Sequence, residues 1–229
     1  VGHPIADELS ALAPGLGEEL RSSLGISQQE KLIGIFPGSR RAEVEGLSTS
    51  FFNLLAQMKL DPDRHRIVVS ALREDFKELI EDAAASHGLK IELIGGDCRP
   101  LMKACDLALV ASGTASLELA WFEKPMLVFY KVSGFGYWLF KNFFSVTPWF
   151  TLPNILGSAA NGGEVTVFEK LLRRDEELEE IVPVAIGLLE DELKQGEVID
   201  RLQKLKAACM MPGANAKAAA VLNDFLSSL

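Results

Sequence analysis

Short apolar runs alternate with segments of helical periodicity over the first 130 residues. This alternation is typical of a parallel sheet covered by helices on both faces, so we predict an α/β, Rossmann-like fold. Because crossovers between parallel strands are right-handed, we expect consecutive strands to lie in chain order, with their carboxyl ends at one edge. The predicted strands are 31–36, 66–71, 90–94, 107–111 and a run from 125, and the predicted helices are 43–59, 74–86, 99–104 and a segment after 113.

The remaining segments are predicted to be loops and helices. A loop enters a helix within 1–9, a short helix covers 17–24, and loops cover 151–156 and 157–163. From 165 onward we predict only helices, over 165–173, 176–189, 193–208 and 214–229. We therefore expect a Rossmann-like domain over 1–165 and a helical segment over 166–229 that packs on the same domain or on a partner.

The unit from Asp106 to Tyr130 holds the first candidate site. A strand ends at Ala111 and a helix begins two or three residues later. Ligands of open α/β sheets lie where strands end and helix N-termini point their free N–H groups. A phosphate would meet backbone donors at Ser112, Gly113, Thr114 and Ala115.

Glu118 follows this turn on the same helix. A capping box would need an acid three residues after Ser112 or Thr114, and Glu118 fits neither interval. Its carboxylate can instead accept two hydrogen bonds from a ribose diol while the turn holds the phosphates. A solvated helix face remains the alternative.

A second turn of this kind follows the strand at 31–36. Gly38 permits a close approach of the backbone, and Arg40 can present a fork of donors to a diphosphate. A tight turn with a solvated arginine is the alternative. Both turns are expected at the same edge, so we predict that Arg40 and Glu118 hold opposite parts of one nucleotide.

Residues 129–150 contain ten of the eighteen aromatic residues. A helix over 137–144 would carry aromatics on several faces. This segment is either buried in a core or under a further domain, or it is an amphipathic surface that meets lipid. The candidate lipid contacts are Tyr137, Trp138, Phe140, Lys141 and Phe144.

Composition excludes some classes of function. A net charge of −9 disfavours nonspecific binding of nucleic acid. The three cysteines are widely spaced and match neither a metal site nor a disulfide framework, so we expect buried or incidental thiols in a reducing compartment. No metal motif is visible, and we expect no metal and no cofactor. No signal peptide and no apolar run long enough to span a membrane is visible. The chain begins at Val1 and reads as a fragment of a longer protein.

Five motifs occur in order along the first two thirds of the chain. They are Val1-Gly2-His3-Pro4 with Asp7, Phe36-Pro37-Gly38-Ser39-Arg40 with Glu43-Val44, Ala111-Ser112-Gly113-Thr114-Ala115 with Leu117-Glu118, Lys124-Pro125-Met126 with Tyr130, and Leu152-Pro153-Asn154-Ile155-Leu156. Together they resemble lipid-A-disaccharide synthase, a glycosyltransferase family of the GT-B fold in Gram-negative lipid A biosynthesis. The resemblance implies that this chain is the nucleotide-sugar half of the enzyme, and that an N-terminal Rossmann-like domain with the acceptor site and the catalytic base lies elsewhere.

The resemblance also implies roles for residues. The turns at Gly38, Ser39 and Arg40 and at Gly113, Thr114 and Ala115 would hold the diphosphate of UDP. Glu118 would bind the ribose, and Asn154 would approach the reacting sugar as the catalytic residue. Loop 157–163 departs from the family pattern, being longer and lacking an arginine.

The implied reaction transfers 2,3-diacylglucosamine from UDP-2,3-diacylglucosamine to lipid X, with inversion and release of UDP. The aromatic segment would contact acyl chains or the membrane surface. The protein would then be cytoplasmic and peripheral on the inner face of the cytoplasmic membrane, and a homodimer through the C-terminal helices is left open.

Two other functions remain open. One is another UDP-sugar enzyme of this fold, such as the peptidoglycan N-acetylglucosaminyltransferase or a UDP-N-acetylglucosamine 2-epimerase. The Leu-Pro-Asn segment and the aromatic segment argue against it. The other is a noncatalytic module that senses nucleotides or docks on a membrane.

Overall fold

A computed structural model of the chain describes residues 3–131, 148–172 and 175–227. The first two helices precede the sheet, and strands then alternate with helices. These elements are α1 (Ile5–Ser10), α2 (Leu16–Ser23), β1 (Lys31–Phe36), α3 (Arg41–Met58), β2 (His65–Ala71), a 3₁₀ turn (Glu74–Phe76) that leads into α4 (Lys77–Ser86), β3 (Glu92–Gly95), α5 (Arg99–Ala104), β4 (Leu107–Ala111), α6 (Thr114–Trp121) and β5 (Met126–Lys131).

The later part of the chain contributes one more strand and several helices. These are α7 (Leu152–Gly157), β6 (Phe168–Leu172), a 3₁₀ turn (Asp175–Leu178), α8 (Val182–Glu190), α9 (Glu192–Cys209) and α10 (Ala214–Ser227). The predicted elements up to β5 are confirmed, with ends that differ by up to three residues.

The six described strands form one sheet in the order β3-β2-β1-β4-β5-β6. All neighbours are parallel, so every carboxyl end lies at the same edge. The expectation that the strands follow chain order is wrong, because the chain leaves β3 and returns to pair β4 with β1. The order therefore reverses between β1 and β4, which is the point where open α/β sheets bind ligands.

The centre of the sheet is the core. All five residues of β4 are buried, as are five of the six residues of β1. Strands buried on both faces read as continuous apolar runs, which is why the sequence located them. Helix α3 packs against the sheet through Phe51, whose ring meets that of Phe129 on β5 edge to face, with centroids 5.3 Å apart.

The helix predicted over 165–173 is wrong. Phe168–Leu172 forms strand β6, paired with β5 from Leu127 to Lys131. The segment has the apolar and charged spacing of a helix, but β5 offers an open edge, and tertiary pairing of this kind overrides local propensity. The division of the chain at 165 remains a prediction, although β6 joins the sheet.

Two other predictions about the later segments need correction. The loop expected at Leu152-Pro153-Asn154 is helix α7, with Pro153 in its first turn, a position that suits proline. The single helix expected over 176–189 is a 3₁₀ turn followed by α8. Pro183 lies in the first turn of α8, so it starts a new helix and does not continue the earlier one.

The C-terminal helix α10 is held mainly at its start. The Asp7 carboxylate on α1 accepts hydrogen bonds from the backbone N–H groups of Gly213 and Asn215. These bonds lower the pKa of Asp7 below its ordinary value. Farther along, Val221, Leu222 and Phe225 are exposed.

The predicted helix 137–144 and its five candidate lipid contacts lie outside the described residues. No helix within the described ranges is long and apolar enough to cross a bilayer. All three cysteines lie inside those ranges, and each is a free thiol.

Candidate nucleotide-binding cleft

A cleft of about 380 Å³ opens at the carboxyl ends of β1 and β4, where the strand order reverses. Its volume lies within the usual range for small-molecule sites. The structure brings both predicted turns to this one cleft. It is lined by Phe36, Pro37, Gly38, Ser39, Arg40, Glu43, Ser70, Leu72, Cys98, Ala111, Ser112, Gly113, Thr114, Ala115 and Glu118.

The turn after β1 is built around Glu43. Its Oε2 atom accepts hydrogen bonds from the backbone N–H groups of Ser39 at 3.2 Å and Arg40 at 3.3 Å. Its Oε1 atom lies 2.6 Å from Nη1 of Arg40, whose side chain is 79% exposed. The turn thus gathers donors and a positive charge at the cleft wall.

Gly38 is required by this arrangement. Its φ of +117° lies in the region that favours glycine, and a Cβ atom there would stand 2.6 Å from Oε2 of Glu43. Sequence reasoning assigned Glu43 no role. The signal for it was the capping-box interval of three residues after Arg40, the N-cap residue of α3.

The turn after β4 presents the start of helix α6. Gly113 is the N-cap residue and no side chain caps the helix. The first N–H groups of a helix lack acceptors within the helix, so those at Thr114 and Ala115 are suited to an anion. The turn itself is fixed by the Ser112 N–H, which donates to the carbonyl oxygen of Phe129 at 2.8 Å.

Glu118 lies one turn into α6 and lines the cleft, with 15% of its side chain exposed. Burial raises the pKa of its carboxyl group, and the nearby Arg99 guanidinium opposes that shift. Arg99 Nε donates to Oε1 of Glu118 at 3.3 Å, and Arg99 Nη2 to Oε2 of Glu8 at 3.0 Å. The contact between Arg99 and Glu118 joins residues 19 positions apart in the chain, and no sequence pattern predicted it.

Residues after β2 and β3 complete the wall. Ser70 and Leu72 come from the end of β2, and Cys98 precedes α5. Burial, followed by the charge of Glu118, raises the pKa of the Cys98 thiol, which keeps it protonated at neutral pH. Sequence reasoning missed these residues, although the shared edge of the sheet implied that further strand ends would contribute.

Asn154 is not brought to the cleft. It is fully buried in α7, and its Nδ2 atom donates to the carbonyl oxygen of Val167 at 2.9 Å and to Oε2 of Glu169 at 2.7 Å. Its Oδ1 atom accepts from the N–H groups of Thr166 and Val167 at 2.8 and 2.9 Å. The side chain fixes the start of β6 and lines no part of the cleft.

The family model described as lipid-A-disaccharide synthetase matches residues 1–223. The chain belongs to the lipid-A-disaccharide synthase family. A lipid-A-disaccharide synthase from Pseudoalteromonas translucida is 35% identical over 161 residues, which are 68% of this chain and 41% of that protein. One from Chromohalobacter salexigens is 29% identical over 228 residues, or 99% of this chain and 56% of that protein. The chain thus spans about half the length of these relatives.

Solved structures, among them GT-B glycosyltransferases, share this Rossmann-like fold over about half of their length. WaaG, a glycosyltransferase involved in lipopolysaccharide biosynthesis, superposes with a TM-score of 0.58 at 19% identity, covering 96% of this chain and 54% of that chain. The UDP-GlcNAc 2-epimerase from Neisseria meningitidis bound to UDP-GlcNAc gives 0.55 at 14% identity, covering 97% and 49%. At these identities the likeness concerns the fold alone.

The described part of this family member holds no group of three or more histidine, cysteine and acidic side chains placed to bind a metal ion. The groups in the described cleft that can meet an anion include Arg40, the backbone N–H groups of the two turns and the hydroxyl groups of Ser39, Ser112 and Thr114.

Proposed function

We propose that this chain supplies the donor-nucleotide site of a lipid-A-disaccharide synthase, with UDP bound in the cleft. The observation that carries this proposal is the convergence of the Gly38 and Gly113 turns at the switch point of the sheet, with Arg40 on one side and Glu118 on the other. Membership of the family supports a lipid A glycosyltransferase.

The diphosphate is assigned to the space between the two turns. The Arg40 side chain is exposed and has room to turn toward it, and the start of α6 adds N–H groups and a positive helix dipole. Gly113 supports this placement. Its φ of 166° is open to any residue, and a Cβ atom there would meet open space, so nothing in the described chain requires a glycine. A phosphate bound close to the backbone would require a glycine at this position.

The ribose is assigned to Glu118. A carboxylate accepts hydrogen bonds at both oxygens, and Arg99 occupies Oε1 only. Because Glu118 lines the cleft, its other carboxylate oxygen is available to the hydroxyl groups of a ribose. The guanidinium of Arg99 also favours the ionised form that such a contact needs.

In the proposed reaction, the bond between the anomeric carbon of 2,3-diacylglucosamine and the β-phosphate oxygen of UDP breaks. A hydroxyl oxygen of lipid X attacks the same carbon with inversion, and its proton passes to a base. We assign that base to an N-terminal domain outside this chain, and we propose that this chain alone is inactive. Arg40 and the helix N-terminus stabilise the negative charge that develops on the departing UDP, which is favourable in a cleft that excludes water.

Two further proposals concern the location of the protein and the packing of its C-terminal helix. We place the protein at the inner surface of the cytoplasmic membrane, where its lipid substrates reside. We also propose that α10 packs on another domain or on a second copy of the chain, since its apolar side chains Val221, Leu222, Phe225 and Leu226 are each at least 60% exposed.

Replacing Arg40 with alanine tests the phosphate assignment. The loss of hydrogen bonds to a charged group should weaken UDP binding about 10- to 150-fold, while uridine, which has no phosphate, should bind as before. The variant also leaves the Glu43 carboxylate without its counter-ion, which adds repulsion toward the diphosphate. Calorimetric titration with both ligands measures the two effects.

Arg41→Ala is the matched control. Arg41 is the next residue, is 62% exposed, pairs with Glu45 at 2.8 Å and does not line the cleft. It should leave both affinities within about twofold, as expected for a substitution at a solvated ion pair. Equal losses of UDP and uridine in Arg40→Ala would show that Arg40 does not contact phosphate.

A further inference from the structure

The Glu43 carboxylate lies where the proposed function places an anion. It accepts the N–H groups of Ser39 and Arg40 and pairs with the Arg40 guanidinium. The same groups are donors that the turn after β1 can offer to a diphosphate. The geometry points to Glu43 as an internal competitor: its carboxylate holds the phosphate-binding turn until a diphosphate displaces it.

The contact at Gly38 explains why both anions cannot be held at once. The turn closes so tightly on the carboxylate that Oε2 of Glu43 stands 2.6 Å from the position of a Cβ atom on Gly38. A phosphate that reached the same N–H groups would need that space. Two anions sharing one guanidinium and one pair of donors would also repel each other.

The surroundings allow the carboxylate to leave. The Glu43 side chain is 22% exposed, so it has a path to water, and the Arg40 side chain is 79% exposed and can follow either anion. A ligand must therefore supply enough negative charge to replace a carboxylate that already has three partners. This inference rests on the proposed function and adds to it a selectivity for diphosphates over ligands of lower charge.

Glu43→Gln tests the competitor directly. The glutamine side chain keeps the size of glutamate and one acceptor oxygen for the turn, but it removes the charge. UDP and inorganic pyrophosphate should bind about threefold to tenfold more tightly to E43Q than to the unchanged chain, the range expected when one hydrogen-bonded competitor is weakened. Uridine affinity should not change. Calorimetry on the 229-residue chain gives all three constants.

Glu45→Gln is the control for the change in net charge. Glu45 lies two residues farther along α3, pairs with Arg41 at 2.8 Å and is outside the cleft. E45Q should bind UDP as the unchanged chain does. The melting temperature without ligand supplies a second readout, and E43Q should melt at the same or a lower temperature while it binds UDP more tightly. If Glu43 had a purely structural role, E43Q would have both a lower melting temperature and a lower affinity for UDP.

The results separate this inference from the proposed function. If the unchanged chain binds UDP and E43Q binds it equally or more weakly, Glu43 is not a competitor, and the UDP site stands. Failure of E43Q to fold would show that the contacts of Glu43 are structural, and it would also overturn the proposal that Glu43 competes with the diphosphate. If neither protein binds UDP or pyrophosphate, both proposals are wrong.

Discussion

Asn154→Ala is expected to lower the free energy of unfolding by about 2–6 kcal/mol. The substitution leaves the buried N–H groups of Thr166 and Val167 without an acceptor, and each such group costs about 1–3 kcal/mol. It also removes the donor to Oε2 of Glu169, a residue that holds the start of α7 through the N–H groups of Phe150 and Thr151. Urea unfolding measures the loss.

Asn53→Ala provides the comparison. Asn53 lies on α3 and accepts one side-chain hydrogen bond from Gln57 at 3.0 Å, so its removal should change stability by about 0.5 kcal/mol or less. UDP affinity of Asn154→Ala, measured well below its melting temperature, should equal that of the unchanged chain, because Asn154 does not line the cleft. A stable Asn154→Ala protein would contradict the buried network.

Glu118→Ala is expected to weaken UDP binding by about 1.5–3 kcal/mol, the usual contribution of hydrogen bonds to a charged group. The proposed contacts run from the ribose hydroxyl groups to the carboxylate. Arg99 does not become an unpaired charge in the variant, since it retains Glu8 at 3.0 Å and Asp97 at 4.0 Å. The loss should therefore report on the ligand.

A ligand lacking one hydroxyl group sharpens this test. With 2′-deoxy-UDP, the difference between the unchanged chain and Glu118→Ala should shrink, because part of the contact is already missing. Glu123→Ala is the control, since Glu123 pairs with Lys206 at 2.7 Å and lies outside the cleft. Equal UDP affinity in Glu118→Ala and the unchanged chain would remove the ribose role.

The raised pKa of Glu118 sets the direction of two pH effects. Burial favours the protonated carboxyl in the folded state, so ionisation of Glu118 costs stability as the pH rises through its raised pKa. Glu118→Gln should therefore be at least as stable as the unchanged chain at neutral pH, and yet bind UDP more weakly. UDP affinity should fall on acidification at a higher pH than an ordinary glutamate would cause.

The sequence predicted β1, β2, β4 and β5 because most of their residues are buried and form nearly continuous apolar runs. It also predicted that the Gly38 and Gly113 turns share one edge, which follows from parallel pairing alone. The order of the strands was predicted wrongly. The position of β4 beside β1 depends on which side of β1 the chain returns to, and local periodicity carries no information about that choice.

Sequence reasoning missed or misplaced residues for two reasons. Some make contacts with residues distant in the chain, and others lie in segments whose local pattern predicts a different structure. Strand β6 has helical spacing, and only the open edge of β5 makes it a strand. Arg99 meets Glu118 across 19 residues. Glu43 is the exception. Its capping-box interval of three residues from Arg40 can be read from the sequence, but its binding to the N–H groups of the turn cannot.

The most direct test of the account is a crystal structure of this chain with UDP. We expect the diphosphate to lie between the Gly38 and Gly113 turns with Arg40 turned onto it, the ribose hydroxyl groups to contact Glu118, and the Glu43 carboxylate to have moved away from Ser39. UDP bound at the opposite edge of the sheet, or in the cleft with its ribose away from Glu118, would contradict it.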